Sequence, residues 1–164
     1  MTAALFLFLL AWDTTSRPVP ARSPATPKAL TACAAVTHAD VEVALGRKIG
    51  RGEETNNNGS STCDYSTAGG QVTITMQRLG ASPDLDQEKR SLTAEFPGST
   101  IREARLEGAD AFFVDLGADG TLLYAIRGGR DYVMVAILGF GQPAHVSAPA
   151  LSLAHTALTR HSAR

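Results

Sequence analysis

Charged residues are scarce in this sequence, and neither sign of charge predominates. Charged side chains make up 19% of the 164 residues, with 15 lysines and arginines against 16 aspartates and glutamates. A nucleic-acid-binding surface or a polybasic membrane-binding patch needs a local excess of positive charge. With a formal net charge of −1, the composition points to neither kind of partner. An apolar fraction of 44% nevertheless places the chain among proteins that fold around a core.

The sequence also lacks motifs for catalysis, metal binding or nucleotide binding. No two of its four histidines lie four residues apart, the spacing that places two metal ligands on one helix face. These histidines are His38, His145, His155 and His161. His38, Asp40 and a serine would supply the groups of a hydrolytic triad, but no Gly-x-Ser-x-Gly sequence accompanies them. We therefore predict no catalytic, cofactor-binding or metal-binding residue and no cofactor.

The N-terminus is apolar and is followed by a proline-rich segment. Residues 3–12 carry no charge, but they are too few for a transmembrane helix, which needs about 20 residues. We interpret residues 1–12 as the hydrophobic region of a signal peptide, although no Lys or Arg precedes it; a buried helix is the alternative. Residues 13–32 contain four prolines and predict an extended tether. Residues 33–164 then form one domain.

Only two cysteines are present, Cys33 and Cys63, and they flank an Asn/Gly-rich stretch. A bond between them would close a loop of about 30 residues and stabilise the fold by roughly 3 to 4 kcal/mol. Such bonds persist in oxidising compartments, so this pair predicts an exported domain with one disulfide. In a cytosolic chain, two unpaired buried thiols are the alternative. Residues 30–33 also match a bacterial lipoprotein box, but the polar tether separates Cys33 from the apolar segment, which disfavours lipidation.

From residue 33 onward, helix and strand patterns alternate without the regular repeat of a parallel sheet. We predict an α+β domain with a mainly antiparallel sheet of about five to six strands and two to three helices. One helix is capped by Thr37 and ends at Gly46, and another begins near Ser147. A middle helix starts with Ser82 and Pro83 and stops at Pro97, with Asp84, Glu88, Asp86 and Arg90 on its solvent face and Leu85, Leu92 and Phe96 on its inner face.

Alternating apolar residues predict the strands. Val72, Ile74 and Met76 give the clearest alternation, after a Gly69-Gly70 turn. Tyr132–Leu138 is apolar without alternation, which predicts a central strand covered on both faces. Further strands are predicted around Cys63 and Tyr65 and at Ile101–Leu106, Ala111–Leu116 and Leu122–Ile126. Residues 50–62 have the composition of an exposed loop.

Several short motifs resemble one family. Cys33-Ala34-Ala35-Val36-Thr37-His38-Ala39-Asp40-Val41, the Leu45-Gly46 helix end, Thr62-Cys63-Asp64-Tyr65 and Gly108-Ala109-Asp110-Ala111-Phe112 occur in this order. This order resembles a broad, functionally uncharacterised group of actinobacterial secreted and lipoprotein-like domains, over roughly residues 33–140. The resemblance implies an envelope or extracellular location, a disulfide, and an α+β fold similar to Mog1/PsbP-type binding modules. It transfers no catalytic residues, and this chain has no separate lipobox cysteine upstream of Cys33.

These observations leave three functions open. We favour a non-enzymatic exported domain that binds an envelope protein or a small apolar ligand, in a helix-to-sheet cleft or at the loop closed by the disulfide. A small secreted enzyme of hydrolase type is the first alternative, and a buried carboxylate–histidine pair in a pocket would support it. A structural or immunity-type partner of another secreted protein is the second, and a large exposed apolar patch would support that one. An uncleaved N-terminus is the only membrane attachment predicted.

Overall fold

The computed structural model of the protein describes residues 31–162, so the predicted signal segment and nearly all of the predicted tether lie outside the described residues. The helices are α1 Ala32–Ala35, α2 His38–Leu45, α3 Leu85–Glu95 and α4 Pro143–Ser162. The strands are β1 Glu53–Asn57, β2 Ser60–Thr67, β3 Gly70–Arg78, β4 Thr100–Leu106, β5 Ala109–Asp115, β6 Gly120–Arg127 and β7 Asp131–Leu138. A short 3-10 turn, Gly117–Asp119, joins β5 to β6.

All seven strands form one antiparallel sheet in the order β1-β2-β3-β7-β6-β5-β4. Two meanders, β1 to β3 and β4 to β7, are joined where β3 pairs with β7, and α3 is the connection that carries the chain from β3 to the far edge. The prediction of an antiparallel α+β fold is therefore confirmed. The predicted counts of five to six strands and two to three helices are wrong, because the described residues contain seven strands and four helices.

The additional strand is β1, in the segment predicted to be a loop. Residues Glu53–Asn57 pair with β2 through a two-residue turn at Asn58 and Gly59, whose φ angles are 47° and 81°. Asn-Gly is the favoured sequence for such a turn, because both residues tolerate positive φ. Every β1 side chain is exposed, so the sequence of β1 lacks the apolar alternation that would have predicted a strand.

Helices cover both faces of the sheet and give two apolar cores. The larger core lies between the sheet and helices α1, α2 and α4, and the smaller one lies beneath α3. Alternate residues of β7 serve the two cores: Val133, Val135 and Ile137 face α4, whereas Met134 and Ala136 face α3. The prediction that Tyr132–Leu138 is a central strand covered on both faces is confirmed.

The middle and last helices begin at other residues than predicted. Asp84, rather than Ser82, caps α3, because its Oδ1 accepts hydrogen bonds from the backbone N–H groups of Asp86 and Gln87, both at 3.0 Å. Helix α4 starts at Pro143, four residues before the predicted start at Ser147, since proline is well suited to a first helical position. The α2 helix forms as predicted, with a Thr37 cap and a left-handed Gly46.

The segment before β1 is fastened to the last helix. The Arg160 guanidinium of α4 donates to the Asp40 carboxylate, at 2.6 and 3.1 Å, and to the Ala35 carbonyl oxygen at 2.8 Å. The hydrogen bond from Arg160 lowers the pKa of Asp40 to about 2. On the buried side, the Tyr65 hydroxyl donates to the Val36 carbonyl oxygen. Hydrogen bonds thus connect α1 and α2, at the start of the described chain, with α4 at its end.

Candidate functional site

The predicted disulfide is present between Cys33 of α1 and Cys63 of β2, with a Cα–Cα distance of 5.0 Å. Its surroundings are tightly packed. A Cβ placed on Gly52 would lie 2.6 Å from the Cys63 sulfur and 2.6 Å from the Tyr65 ring. The backbone N–H of Ala32 donates to Ser61 Oγ at 2.8 Å. The residues around the disulfide are therefore packed together closely.

A cavity of about 240 Å³ lies between α3 and the sheet. Its floor follows the strand register: Gln77 of β3, Tyr132 of β7 and Ile126 of β6 lie in one row across three strands. Tyr124 of β6 and Phe112 of β5 form the next row. Leu79 and Pro83 from the β3–α3 connection and Leu85 and Glu88 from α3 complete the lining.

Glu88 interrupts the apolar inner face of α3 beside the cavity. Leu92 is buried and Leu85 partly buried, but Glu88 lies between them, one turn from Leu85. Residues three or four apart share a helix face, so Glu88 projects toward the cavity rather than away from the sheet. The prediction that Glu88 lies on the solvent face is therefore wrong. A leucine at this position would extend the apolar face of α3 over the cavity floor, whereas residue 88 is a glutamate.

Three aromatic rings form the floor. Phe112 and Tyr124 are stacked, with ring centroids 5.2 Å apart and planes inclined by 2°. Tyr124 and Tyr132 are tilted by 56°, with centroids 6.2 Å apart. The ammonium group of Lys89 lies 5.3 Å from the centre of the Phe112 ring and also pairs with Glu103 at 2.6 Å. The floor is a rigid, largely apolar surface, because the central strands of the sheet hold each ring.

The two tyrosine hydroxyls remain neutral donors in this environment. Burial raises the pKa of Tyr124 to about 12, and the nearby charges of Glu88 and Glu95 act in the same direction. Burial, followed by Tyr124 and Glu88, also raises the pKa of Tyr132. Both phenols therefore stay protonated at physiological pH. Within the described residues, the Glu88 carboxylate has no ion pair or side-chain hydrogen bond of its own.

The histidines do not assemble a hydrolytic site. His38 Nε2 forms a hydrogen bond with the Ile49 carbonyl oxygen at 2.8 Å, while Asp40 is engaged by Arg160. A carboxylate–histidine pair does occur elsewhere: Asp131 Oδ1 lies 3.7 Å from His161 Nε2, and both side chains are largely buried. Neither residue lines the cavity. No group of three or more His, Cys, Asp or Glu side chains in residues 31–162 is arranged to hold a metal ion.

The residues of the cavity floor were not singled out by the sequence. Phe112, Tyr124 and Tyr132 sit in strongly apolar strands, where aromatic residues are usually core residues. The available signal was the position of Glu88, three residues after Leu85 and four before Leu92, on what is otherwise an apolar helix face. An acidic residue there indicates an opening beside the core.

Comparisons with known proteins add no residue to this site. Protein-family models, curated proteins and solved structures give no match to the chain. None of the helices in the part of the chain that the structure describes has the length and apolarity needed to cross a membrane. The site is therefore defined by its own geometry: an aromatic floor on the central strands, a roof from α3, and one carboxylate.

Proposed function

We propose that this protein is a non-enzymatic binding domain, exported to the cell envelope or the medium, that takes a small apolar ligand in the cavity beneath α3. The aromatic floor of that cavity carries the proposal. Ligand sites are typically concave and mostly apolar, with a few polar groups that orient the ligand. Here the apolar groups are Phe112, Tyr124, Tyr132 and their neighbours, and the polar groups are Gln77 and Glu88.

The volume limits the ligand. Pockets for drug-sized molecules hold about 300 to 1,000 Å³, and this cavity of about 240 Å³ is smaller. A single ring with a short substituent matches it. The surface supports a cavity ligand over a docked protein, because Val43 is the one large apolar side chain that is mostly exposed among the described residues. A protein partner of the immunity type would need a contiguous exposed apolar patch, and one exposed residue does not form such a patch.

The proposed location rests on the disulfide and on the resemblance of the sequence motifs to actinobacterial secreted domains. A disulfide is durable outside the cytosol and rare within it. An exported binding domain is also the function that the Mog1/PsbP-type resemblance implies. We propose that the chain belongs to that group.

Filling the cavity is expected to abolish ligand binding. Gln77 is a partly exposed residue of the cavity wall, so Gln77→Trp would place an indole inside without disturbing the buried core. Benzyl alcohol is a suitable probe, with binding by the natural protein at a dissociation constant of about 1 mM, or about −4 kcal/mol. Titration followed by ¹H–¹⁵N chemical shifts should show shifts around the cavity in the natural protein, and binding at least about tenfold weaker in the variant.

Gln71→Trp is the matched control. Gln71 lies on the same face of the same strand, exposed, and six residues or about 20 Å from Gln77. It should bind benzyl alcohol as the natural protein does. Equal binding by all three proteins, or no binding by any of them at millimolar concentrations, contradicts the proposed cavity function.

The proposed location is tested by intact mass. We expect protein recovered unreduced from the envelope or medium of its own host to begin within the tether, between residues 13 and 32. Its mass should be two hydrogens below that of the dithiol form. A reduced, uncleaved chain recovered from the cytosol would contradict export. A mass increase of the size of a lipid on Cys33 would contradict the disulfide and show that the protein is a lipoprotein.

A further inference from the structure

We infer that the cavity selects organic cations: compact ligands with an amine or quaternary ammonium group beside Glu88 and an apolar body on the Tyr124–Tyr132 floor. This inference rests on the proposed cavity function and names its ligand class. The juxtaposition that carries it is one unpaired carboxylate at the roof of a cavity whose floor is aromatic.

The charge of the cavity lining is negative only. Among the described residues that line the cavity, Glu88 alone is charged. Its nearest basic neighbour along α3, Lys89, is directed to Glu103 and to the Phe112 ring. Glu88 is partly exposed, and none of the described residues forms an ion pair with its carboxylate. A ligand cation would supply the missing counterion.

The aromatic floor favours the same ligand charge. The face of an aromatic ring is electrostatically negative and attracts cations within about 6 Å of its centre. This protein already contains such a contact, since the Lys89 ammonium lies 5.3 Å from the centre of the Phe112 ring. Tyr124 and Tyr132 line the cavity beside Phe112, so a bound cation would lie close to further aromatic rings. Carboxylate and rings act together on one bound cation.

The tyrosine hydroxyls do not reverse this preference. They are neutral, and each remains able to donate one hydrogen bond to a ligand acceptor or to Glu88. An anionic ligand would be repelled by the Glu88 carboxylate. A neutral ligand of the same shape would gain the apolar contacts alone. The expected order of affinity is therefore cation, then neutral compound, then anion.

Three probes of similar size test this order: benzylammonium, benzyl alcohol and phenylacetate. The natural protein should bind benzylammonium about tenfold more tightly than benzyl alcohol, because a charge pair at a partly buried site is only partly screened. Phenylacetate should bind more weakly than benzyl alcohol. Raising the salt concentration from 0.05 to 0.5 M should shrink the benzylammonium preference and leave benzyl alcohol binding unchanged.

Glu88→Gln removes the charge and keeps the shape. This variant should bind benzylammonium and benzyl alcohol within about twofold of each other, because the charge that favours the cation is gone. Glu53→Gln is the matched control, since Glu53 is exposed on the edge strand β1 and does not line the cavity. It should keep the tenfold preference. The salt titration of the natural protein provides the same test without any substitution.

The outcomes separate this inference from the proposed function. Benzyl alcohol binding that Gln77→Trp abolishes, with no preference for benzylammonium, overturns the cation selectivity and leaves the apolar cavity function standing. A preference that survives in Glu88→Gln also overturns it. Failure of all three probes to bind removes the cavity function itself, and the selectivity with it.

Discussion

Reduction of the Cys33–Cys63 bond is expected to lower the free energy of unfolding by about 3 to 4 kcal/mol. The two cysteines are separated by 30 residues, and an open loop of this length gives the unfolded chain many more conformations than a closed one. The loss is a large fraction of the roughly 5 to 15 kcal/mol that stabilises a domain of this size.

The folded structure itself should change little on reduction. Helix α1 stays attached at several other points: Arg160 holds the Ala35 carbonyl, Tyr65 holds the Val36 carbonyl, and Ser61 holds the Ala32 N–H. Cys63 is fully buried in the larger core. The effect of the bond is therefore mainly on the unfolded state, and the reduced protein should retain its native spectrum at low denaturant concentration.

Urea unfolding with and without a reductant measures this effect. The double variant Cys33→Ala/Cys63→Ala is the control: it should resemble the reduced natural protein to within about 1 kcal/mol, and reductant should not alter its midpoint. A reductant-induced change below about 1 kcal/mol in the natural protein would contradict a stabilising role for the bond.

Gly120→Ala is expected to destabilise the fold by at least about 3 kcal/mol. Gly120 is the first residue of β6, where the chain enters the sheet beside the end of β7, and its φ and ψ angles are 127° and −145°. Only glycine adopts this region readily. In addition, a Cβ there would lie 2.1 Å from the Ile137 carbonyl oxygen, a backbone atom of the central strand that has no freedom to withdraw.

Gly98→Ala is the comparison variant, because it tests a positive φ without a close contact. Gly98 also has a positive φ, 87°, but a Cβ there would meet nothing within 4 Å. Its loss should be about 1 kcal/mol, the cost of a left-handed backbone alone. Denaturant midpoints of the two variants give the comparison. Equal losses would mean that the close approach of Gly120 to β7 is not as the structure places it.

Sequence patterns were sufficient for the elements with a buried face. The strands β3 and β7 and the helix α2 were predicted because their apolar residues or caps repeat with the periods of those elements. The β1 strand was missed because all five of its side chains are exposed, so only its Asn58-Gly59 turn distinguished it from a loop. The four-residue α1 is too short for any periodicity.

The site was less predictable than the fold. A helix-to-sheet cleft was among the sites expected, but its residues depend on which strands are neighbours. Gln77, Tyr132 and Ile126 are brought into one row only by the pairing of β3 with β7 and of β7 with β6. The β6–β7 pairing is a local hairpin, but the β3–β7 pairing joins segments far apart in the chain, and no local pattern encodes it. The orientation of Glu88 also depends on how α3 packs against the sheet.

The strand order has a consequence for how this chain acquires its structure. The middle of the sheet is β7, which is the last strand in the chain. Until residues 131–138 have been made, the meanders β1–β3 and β4–β6 each have an edge with no neighbour, since β3 and β6 both wait for the same partner. Ribosomal synthesis delivers the N-terminal part first, so most of the chain is in existence before the sheet can close. The two meanders can therefore be joined into one sheet only after most of the polypeptide has been synthesised.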